Sequence, residues 1–193
     1  RYIREVVPTL NSSEAFRESK TSFDTLKQLQ RMHQHDDWFA QFGLQSRWIE
    51  FAELLLQQSV ALEGVEWFNK PSRIGSPTPP HQDGYYWHLK EPKAVTCWLA
   101  LERVDEENGC IKYVRGSHKN ETFRPHASSG VLGFSQGITD FGTDNDKRNT
   151  VEFAGEAGTF LMHDSRTIHW TGANRSQTRS RKALGLIYYA ESA

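Results

Sequence analysis

From Val60 to the C-terminus, short runs of β-branched and aromatic residues alternate with turn-forming residues, and this punctuation constrains the fold more than any other feature. Val60 to Lys70 alternates and stops at Pro71. Ala94 to Val104 is apolar and β-rich, and a turn follows at Glu106-Glu107-Asn108-Gly109. Cys110 to Val114, Val151 to Phe153, Gly158 to His163, Thr167 to Trp170 and Ala183 to Ala190 complete the set. The stretch from Pro71 to Pro80 holds four of the seven prolines and reads as a loop. Strands this short cannot cover a core singly, so they predict a sandwich, barrel or jelly roll.

The first 59 residues carry a different period. Phe16, Phe23, Leu26 and Leu29 follow Ser12-Ser13 in a polar stretch that suits one or two amphipathic helices. Trp38, Phe39 and Phe42 suit a short helix that Gly43 could stop. Trp48, Phe51, Leu54, Leu55 and Leu56 recur at intervals of three and four, the spacing of one helix face. The expectation is a single domain over 1-193, with 1-59 a mostly helical scaffold and 60-193 the β core. Residues 119-150 are rich in Gly, Ser, Asn and Asp and long for a connector, which predicts a mobile lid over the site.

Composition narrows the function classes. With 23 basic and 24 acidic residues the net charge is −1, so nothing electrostatic points to nucleic acid or an anionic membrane. Mean hydropathy is −0.67, and no run approaches the roughly 18 apolar residues of a membrane span. Two cysteines, Cys97 and Cys110, make no disulfide framework and read as reduced thiols. No signal or transit segment is visible, and the expected location is the cytoplasm. The chain opens on Arg1, not Met, so we expect it to be N-terminally truncated.

Chemistry concentrates at His81-Gln82-Asp83. On an extended backbone, residues i and i+2 point to one face, so an imidazole and a carboxylate can grip one metal ion. A third ligand from a distant strand would complete a facial triad of the kind that suits non-haem Fe(II). His169 and His163 both lie in runs that read as strands, and either could supply it. Downstream lie Arg175, Arg179 and Arg181, the last against the apolar run from Ala183. Arg181 is the better placed to enter a strand and meet a buried carboxylate with two parallel donors. Arg175 and Arg179 read as a solvated turn. Asp140, Asp144 and Asp146 lack the spacing and terminal Glu of a calcium loop.

Taken in order, His81-Gln82-Asp83-Gly84-Tyr85-Tyr86-Trp87, Val95 to Leu101, Glu107-Asn108-Gly109-Cys110, Gly116-Ser117-His118-Lys119, and His169 with Thr171, Asn174, Ser176 and Arg181 resemble the phytanoyl-CoA dioxygenase family. The resemblance runs from about Glu66 to the C-terminus. It implies a mainly β fold with flanking α: a double-stranded β-helix (jelly roll, cupin-like) with the N-terminal helices packed outside. It implies a non-haem dioxygenase that takes Fe(II), 2-oxoglutarate and O2, with ascorbate as an accessory reductant, and hydroxylates a small molecule at an unactivated C–H. His81, Asp83 and His169 would be the catalytic metal ligands, which favours His169 over His163. Arg181 would bind the distal carboxylate of 2-oxoglutarate beside Thr171 and Trp98, and Tyr85 and Trp87 would contact substrate. Related halogenases carry a small residue in place of the carboxylate, so Asp83 favours hydroxylation. Arg115 replaces the proline that relatives often carry before Gly-Ser-His, and the interval from His169 to the arginine is one residue longer than in some relatives. A non-catalytic jelly-roll binding protein and a zinc hydrolase are the competing classes.

Overall fold

A computed structural model describes the chain except residues 12, 20–24 and 132–133 and the side chains of 134 and 135. Six helices are described: α1 (Tyr2–Glu5), α2 (Met32–His35), α3 (Asp37–Gly43), α4 (Ser46–Leu56), α5 (Asp83–Trp87) and α6 (Asp144–Asn149). The strands are β1 (Ala15–Arg17), β2 (Leu26–Leu29), β3 (Val60–Lys70), β4 (Thr78–His81), β5 (Ala94–Ala100) and β6 (Ile111–Val114). They continue with β7 (His126–Val131), β8 (Phe134–Ile138), β9 (Thr150–Phe153), β10 (Phe160–Asp164), β11 (His169–Thr171) and β12 (Arg181–Ala190). A six-stranded sheet runs β1-β2-β3-β12-β5-β10, a four-stranded sheet runs β4-β11-β6-β9, and β7 and β8 form a ribbon. All pairings are antiparallel, as the jelly-roll expectation requires.

The period of two along β3, β12 and β5 sorts their side chains between two faces. Val65, Trp67, Leu184, Leu186, Tyr188, Val95 and Cys97 point outward into the main apolar core with Leu29, Met32, Trp48 and Ala52. The helices cover that face, and the Tyr188 hydroxyl donates to the Gly43 carbonyl at 2.6 Å. Gly43 ends α3 as its spacing predicted, and the reason is contact: a Cβ there would meet Leu62 at 2.7 Å. Glu66, Phe68, Gly185, Ile187, Thr96 and Trp98 line the opposite face, which encloses a cavity of about 730 Å³.

Three expectations change. Residues 15–17 and 26–29 form strands, not amphipathic helices, because pairing of β2 with β3 outweighs the local three-residue spacing; Phe23 lies outside the described residues. On α4 the inward positions are Trp48 and Ala52, one turn apart, while Phe51, Leu54 and Leu55 of the same run are exposed. Residues 119–150 are not a plain loop. They contain β7, β8 and α6, the last opened by a capping box between Thr143 and Asp146. Cys97 and Cys110 are free, buried thiols. Among the described residues no helix is long and apolar enough to cross a membrane.

Candidate metal centre and co-substrate pocket

His81 closes β4, and its Cα partner across the sheet is His169 of β11. Gln82 is extended and Asp83 begins α5, so the i, i+2 pair straddles a strand end instead of sharing one strand. One extended residue between them is enough to keep both side chains on one side. The ligand atoms of His81, Asp83 and His169 lie within 4.8 Å of one another. His81 Nε2 is 3.3 Å and His169 Nε2 is 3.5 Å from Asp83 Oδ1.

The outer hydrogen bonds determine what these atoms offer. His81 Nδ1 faces the Pro79 carbonyl at 2.8 Å, and His169 Nδ1 faces the Thr167 carbonyl at 3.0 Å. A carbonyl only accepts, so each Nδ1 carries the proton and each Nε2 turns a lone pair toward Asp83. Burial, reinforced by His81, pushes the His169 imidazole well below its ordinary range, which keeps it neutral. Burial alone would raise the Asp83 carboxyl; the imidazoles around it outweigh burial and hold the group well below the usual carboxylate range, the His163 bond to Oδ2 being the contribution that persists when His81 and His169 are neutral.

His163 has a different place. Its Nε2 lies 3.2 Å from Asp83 Oδ2, and its Nδ1 meets the Tyr113 hydroxyl at 2.9 Å. Thr96 donates to the same Oδ2 at 2.7 Å. Both His163 and Thr96 come from the six-stranded sheet, so they brace the carboxylate from across the cavity and leave Oδ1 toward the two imidazoles. Such outer partners orient a ligand without being one. Gln82 is buried, and its side chain holds Arg166 and Arg124 by backbone bonds of 2.7 and 2.9 Å. Arg124 in turn pairs with Asp140 and Asp146, which accounts for that acidic cluster.

At the far end of the cavity, Arg181 enters β12 almost fully buried, with 3% of its surface exposed. Its guanidinium carbon lies 5.8 Å from the Trp98 ring centroid, and among the described residues it forms no ion pair and its Nε finds no acceptor. Burial lowers its pKa to about 10. Thr171 Oγ1, on the same cavity wall, is also buried without a partner. Lys70, opposite Arg181 in the β3–β12 register, adds a second buried basic group that sequence reasoning missed; its Nζ donates to the Ser76 carbonyl, and burial, with Arg181 beside it, pushes it well below its ordinary range. A buried, unpaired guanidinium and an idle hydroxyl are costly unless an anion joins them. The turn before Arg181 is built by Asn174, which donates to the Lys70 and Arg179 carbonyls, both at 2.8 Å. Arg179 stays partly solvated on the turn, with 36% of its side chain exposed, but it is not free: it pairs with Asp105 at 2.9 Å and with Glu107.

One further expectation is corrected. Residues 83–87 are helical, so Asp83, Tyr86 and Trp87 share the cavity face at the i, i+3, i+4 spacing. Tyr85 points away and stacks on His126 with ring centroids 4.0 Å apart, outside the cavity. Tyr86, not Tyr85, is the lining residue, and its hydroxyl donates to the Gln136 carbonyl. His118 is exposed, and Ser117 holds the Gly-Ser-His turn, donating to the Val114 carbonyl at 2.8 Å and accepting from Ile168 N at 2.9 Å.

A jelly roll with two imidazoles and one carboxylate converging at one end of a cavity, and a buried cationic pocket at the other, defines the class of metal-dependent oxygenase folds. The chain belongs to the phytanoyl-CoA dioxygenase (PhyH) family, whose pattern matches residues 5–183. Similar proteins include the peroxisomal phytanoyl-CoA dioxygenase of Mus musculus, 29% identical over 160 residues, 78% of this chain and 46% of that protein. Another is a probable alpha-ketoglutarate-dependent hypophosphite dioxygenase of Stutzerimonas stutzeri, 26% identical over 179 residues, covering 90% of this chain and 62% of that one. The chain thus spans about half the length of the phytanoyl-CoA dioxygenases it matches. Among solved structures, EctD from S. alaskensis with 2-oxoglutarate and 5-hydroxyectoine superposes with a TM-score of 0.78 at 20% identity, over 98% of this chain and 64% of that one. The non-haem alpha-ketoglutarate-dependent epimerase SnoN gives 0.70 at 24% identity, over 98% of this chain and 72% of its own.

Proposed function

We propose that this chain is an Fe(II)- and 2-oxoglutarate-dependent dioxygenase that hydroxylates a small molecule. The observation that carries the reading is the pairing, in one cavity, of the His81–Asp83–His169 cluster with an unpaired, buried Arg181. Nitrogen and carboxylate donors in a facial set with an open side suit Fe(II). The orphaned Arg181 Nε and Thr171 Oγ1 fit the distal carboxylate of 2-oxoglutarate, which would give each buried group the partner it lacks. Bound together, the metal and 2-oxoglutarate would supply oxidising power from O2, with succinate and carbon dioxide as products.

The chain's own residues do the positioning. His81, Asp83 and His169 would hold the metal on one face, and His163 and Thr96 would fix the Asp83 rotamer. Arg181, Thr171 and Lys70 would seat the co-substrate and Trp98 would wall it. Tyr86, Trp87 and the β7 residues lining the cavity would limit water. With a metal bound, Asp83 would fill the coordination site that a halogenase leaves free, which favours hydroxylation.

The test is succinate release with Fe(II) and 2-oxoglutarate, with and without O2. Release that depends on both metal and O2 supports the reading. A protein that binds metal without releasing succinate would be a non-catalytic binder, and turnover without O2 would indicate a zinc hydrolase.

A further inference from the structure

The half of the cavity away from Arg181 has an electrostatic character that neither the metal nor 2-oxoglutarate explains. Glu66 projects into it from β3, and Gln28 of β2 donates to Glu66 Oε2 at 3.0 Å. Because that amide NH2 faces a carboxylate, Gln28 Oε1 is turned the other way, where it is buried without a donor. Glu66 Oε1 likewise has no donor among the described residues. No described cation pairs with Glu66; Arg31, on the cavity wall, acts on it only at a distance. Burial raises the Glu66 carboxyl to about 7, and the Asp83 charge adds to this.

Register shows where this acceptor pair lies relative to the metal end. Glu66 is aligned with Gly185 of β12, and Gly185 with Trp98 of β5. Thr96 and His163, which brace Asp83, sit on β5 and β10. At about 4.8 Å per strand, β3 and β5 are roughly 10 Å apart. Gly185 puts no side chain between them, and a Cβ there would meet the Phe68 ring at 2.9 Å. The Phe68 ring therefore covers Gly185, and the Glu66–Gln28 pair faces the cavity beside it, with Arg31 on the same wall.

We propose, resting on the oxygenase reading above, that Glu66 and Gln28 recognise a cationic nitrogen of the substrate, so that the substrate is a small protonated amine and not an acyl thioester. An ammonium offers several donors to the two idle acceptors and a charge to the carboxylate. The cavity is then complementary at both ends: cationic at Arg181 for the dicarboxylate, acidic at Glu66 for the amine. A thioester linked to an anionic carrier would meet a cavity-lining carboxylate of its own sign.

The test uses the chain loaded anaerobically with Fe(II) and 2-oxoglutarate. A panel of primary and secondary amines, each with its N-acetyl analogue, plus matched carboxylates, is titrated by calorimetry and by perturbation of the iron–oxoglutarate absorbance. We expect amines to bind, N-acetylation to weaken them at least about tenfold, and Glu66→Gln to cause a loss of similar size while 2-oxoglutarate affinity holds. Gln28→Met should weaken the same amines by a smaller factor, and it serves if Glu66→Gln does not fold. Binding confined to carboxylates or neutral compounds, or amine affinity unchanged in both variants, overturns the proposal. If 2-oxoglutarate itself fails to bind the wild-type chain, the oxygenase reading fails and takes this inference with it; if it binds and the amines do not, only the inference fails.

Discussion

Replacing Arg181 by Met should stabilise the free protein and destroy its affinity for 2-oxoglutarate. The guanidinium is 3% exposed, has no ion-pair partner among the described residues, and is pushed down to about 10 by burial. That difference from the ordinary guanidinium value corresponds to about 3 kcal/mol. The sign follows from a base with a depressed folded-state pKa: at pH 7 the group is charged both folded and unfolded, so the folded state carries the full cost, which fades only as pH rises above about 10. Met has comparable length without the charge, so urea unfolding without ligands should show a gain approaching 3 kcal/mol, reduced by imperfect packing. With 2-oxoglutarate at a hundred times its Kd, and Fe(II) under anaerobic conditions, the wild type should gain about 2.7 kcal/mol and Arg181→Met almost nothing. Affinity should fall at least about a hundredfold, as expected for loss of one side of a buried pair. Lys should rescue in part, since it offers a charge without the planar fork. Arg179→Ala should leave 2-oxoglutarate affinity unchanged, because its partners Asp105 and Glu107 lie outside the cavity lining. An Arg181→Met chain that is less stable than wild type without ligand, yet equally stabilised by 2-oxoglutarate, would refute the assignment.

Three further outcomes are expected. His81→Ala, Asp83→Ala and His169→Ala should each abolish Fe(II) binding, whereas His163→Ala should retain the metal with affinity reduced about 10–100-fold, as measured by metal titration; equal losses at all four positions would make His163 a ligand. Glu66→Gln should leave stability unchanged near pH 4.5 and raise it by on the order of 1–3 kcal/mol at pH 8, because a carboxyl lifted to about 7 loses stability as pH climbs through that window; its neighbours in this balance are Gln28, Asp83 and Arg31, and a flat pH profile of the difference would contradict the burial argument. Gly185→Ala should cost about 1–3 kcal/mol in urea unfolding, since the new methyl meets the Phe68 ring at 2.9 Å, and Phe68→Leu in the same chain should recover part of it.

The chain's own pattern already determined a fold of paired short strands, a sandwich, barrel or jelly roll, because punctuated runs with a period of two can bury a face only by pairing; the jelly roll among these followed from the family resemblance. The pattern also determined that His81 and Asp83 would face one way, since a single extended residue separates them, and that Arg181 would be drawn inside, since it abuts an apolar run. Other features depended on distant partners. Leu26 and Leu29 are spaced like a helix face, yet they lie in a strand because β3 offers β2 an edge to pair with. Tyr86 and Trp87 reach the cavity while Tyr85 does not, because α5 rotates by a helical step where alternation predicts a strand. His163 and His169 look alike as residues in β runs; only the sheet each belongs to separates the brace of Asp83 from its neighbour in the cluster. The Glu66–Gln28 pair and the packing of Phe68 over Gly185 are products of register, which brings together positions 38 residues apart. Local periodicity reports which face a side chain occupies, whereas what it meets on that face is decided by non-local pairing across the sheet.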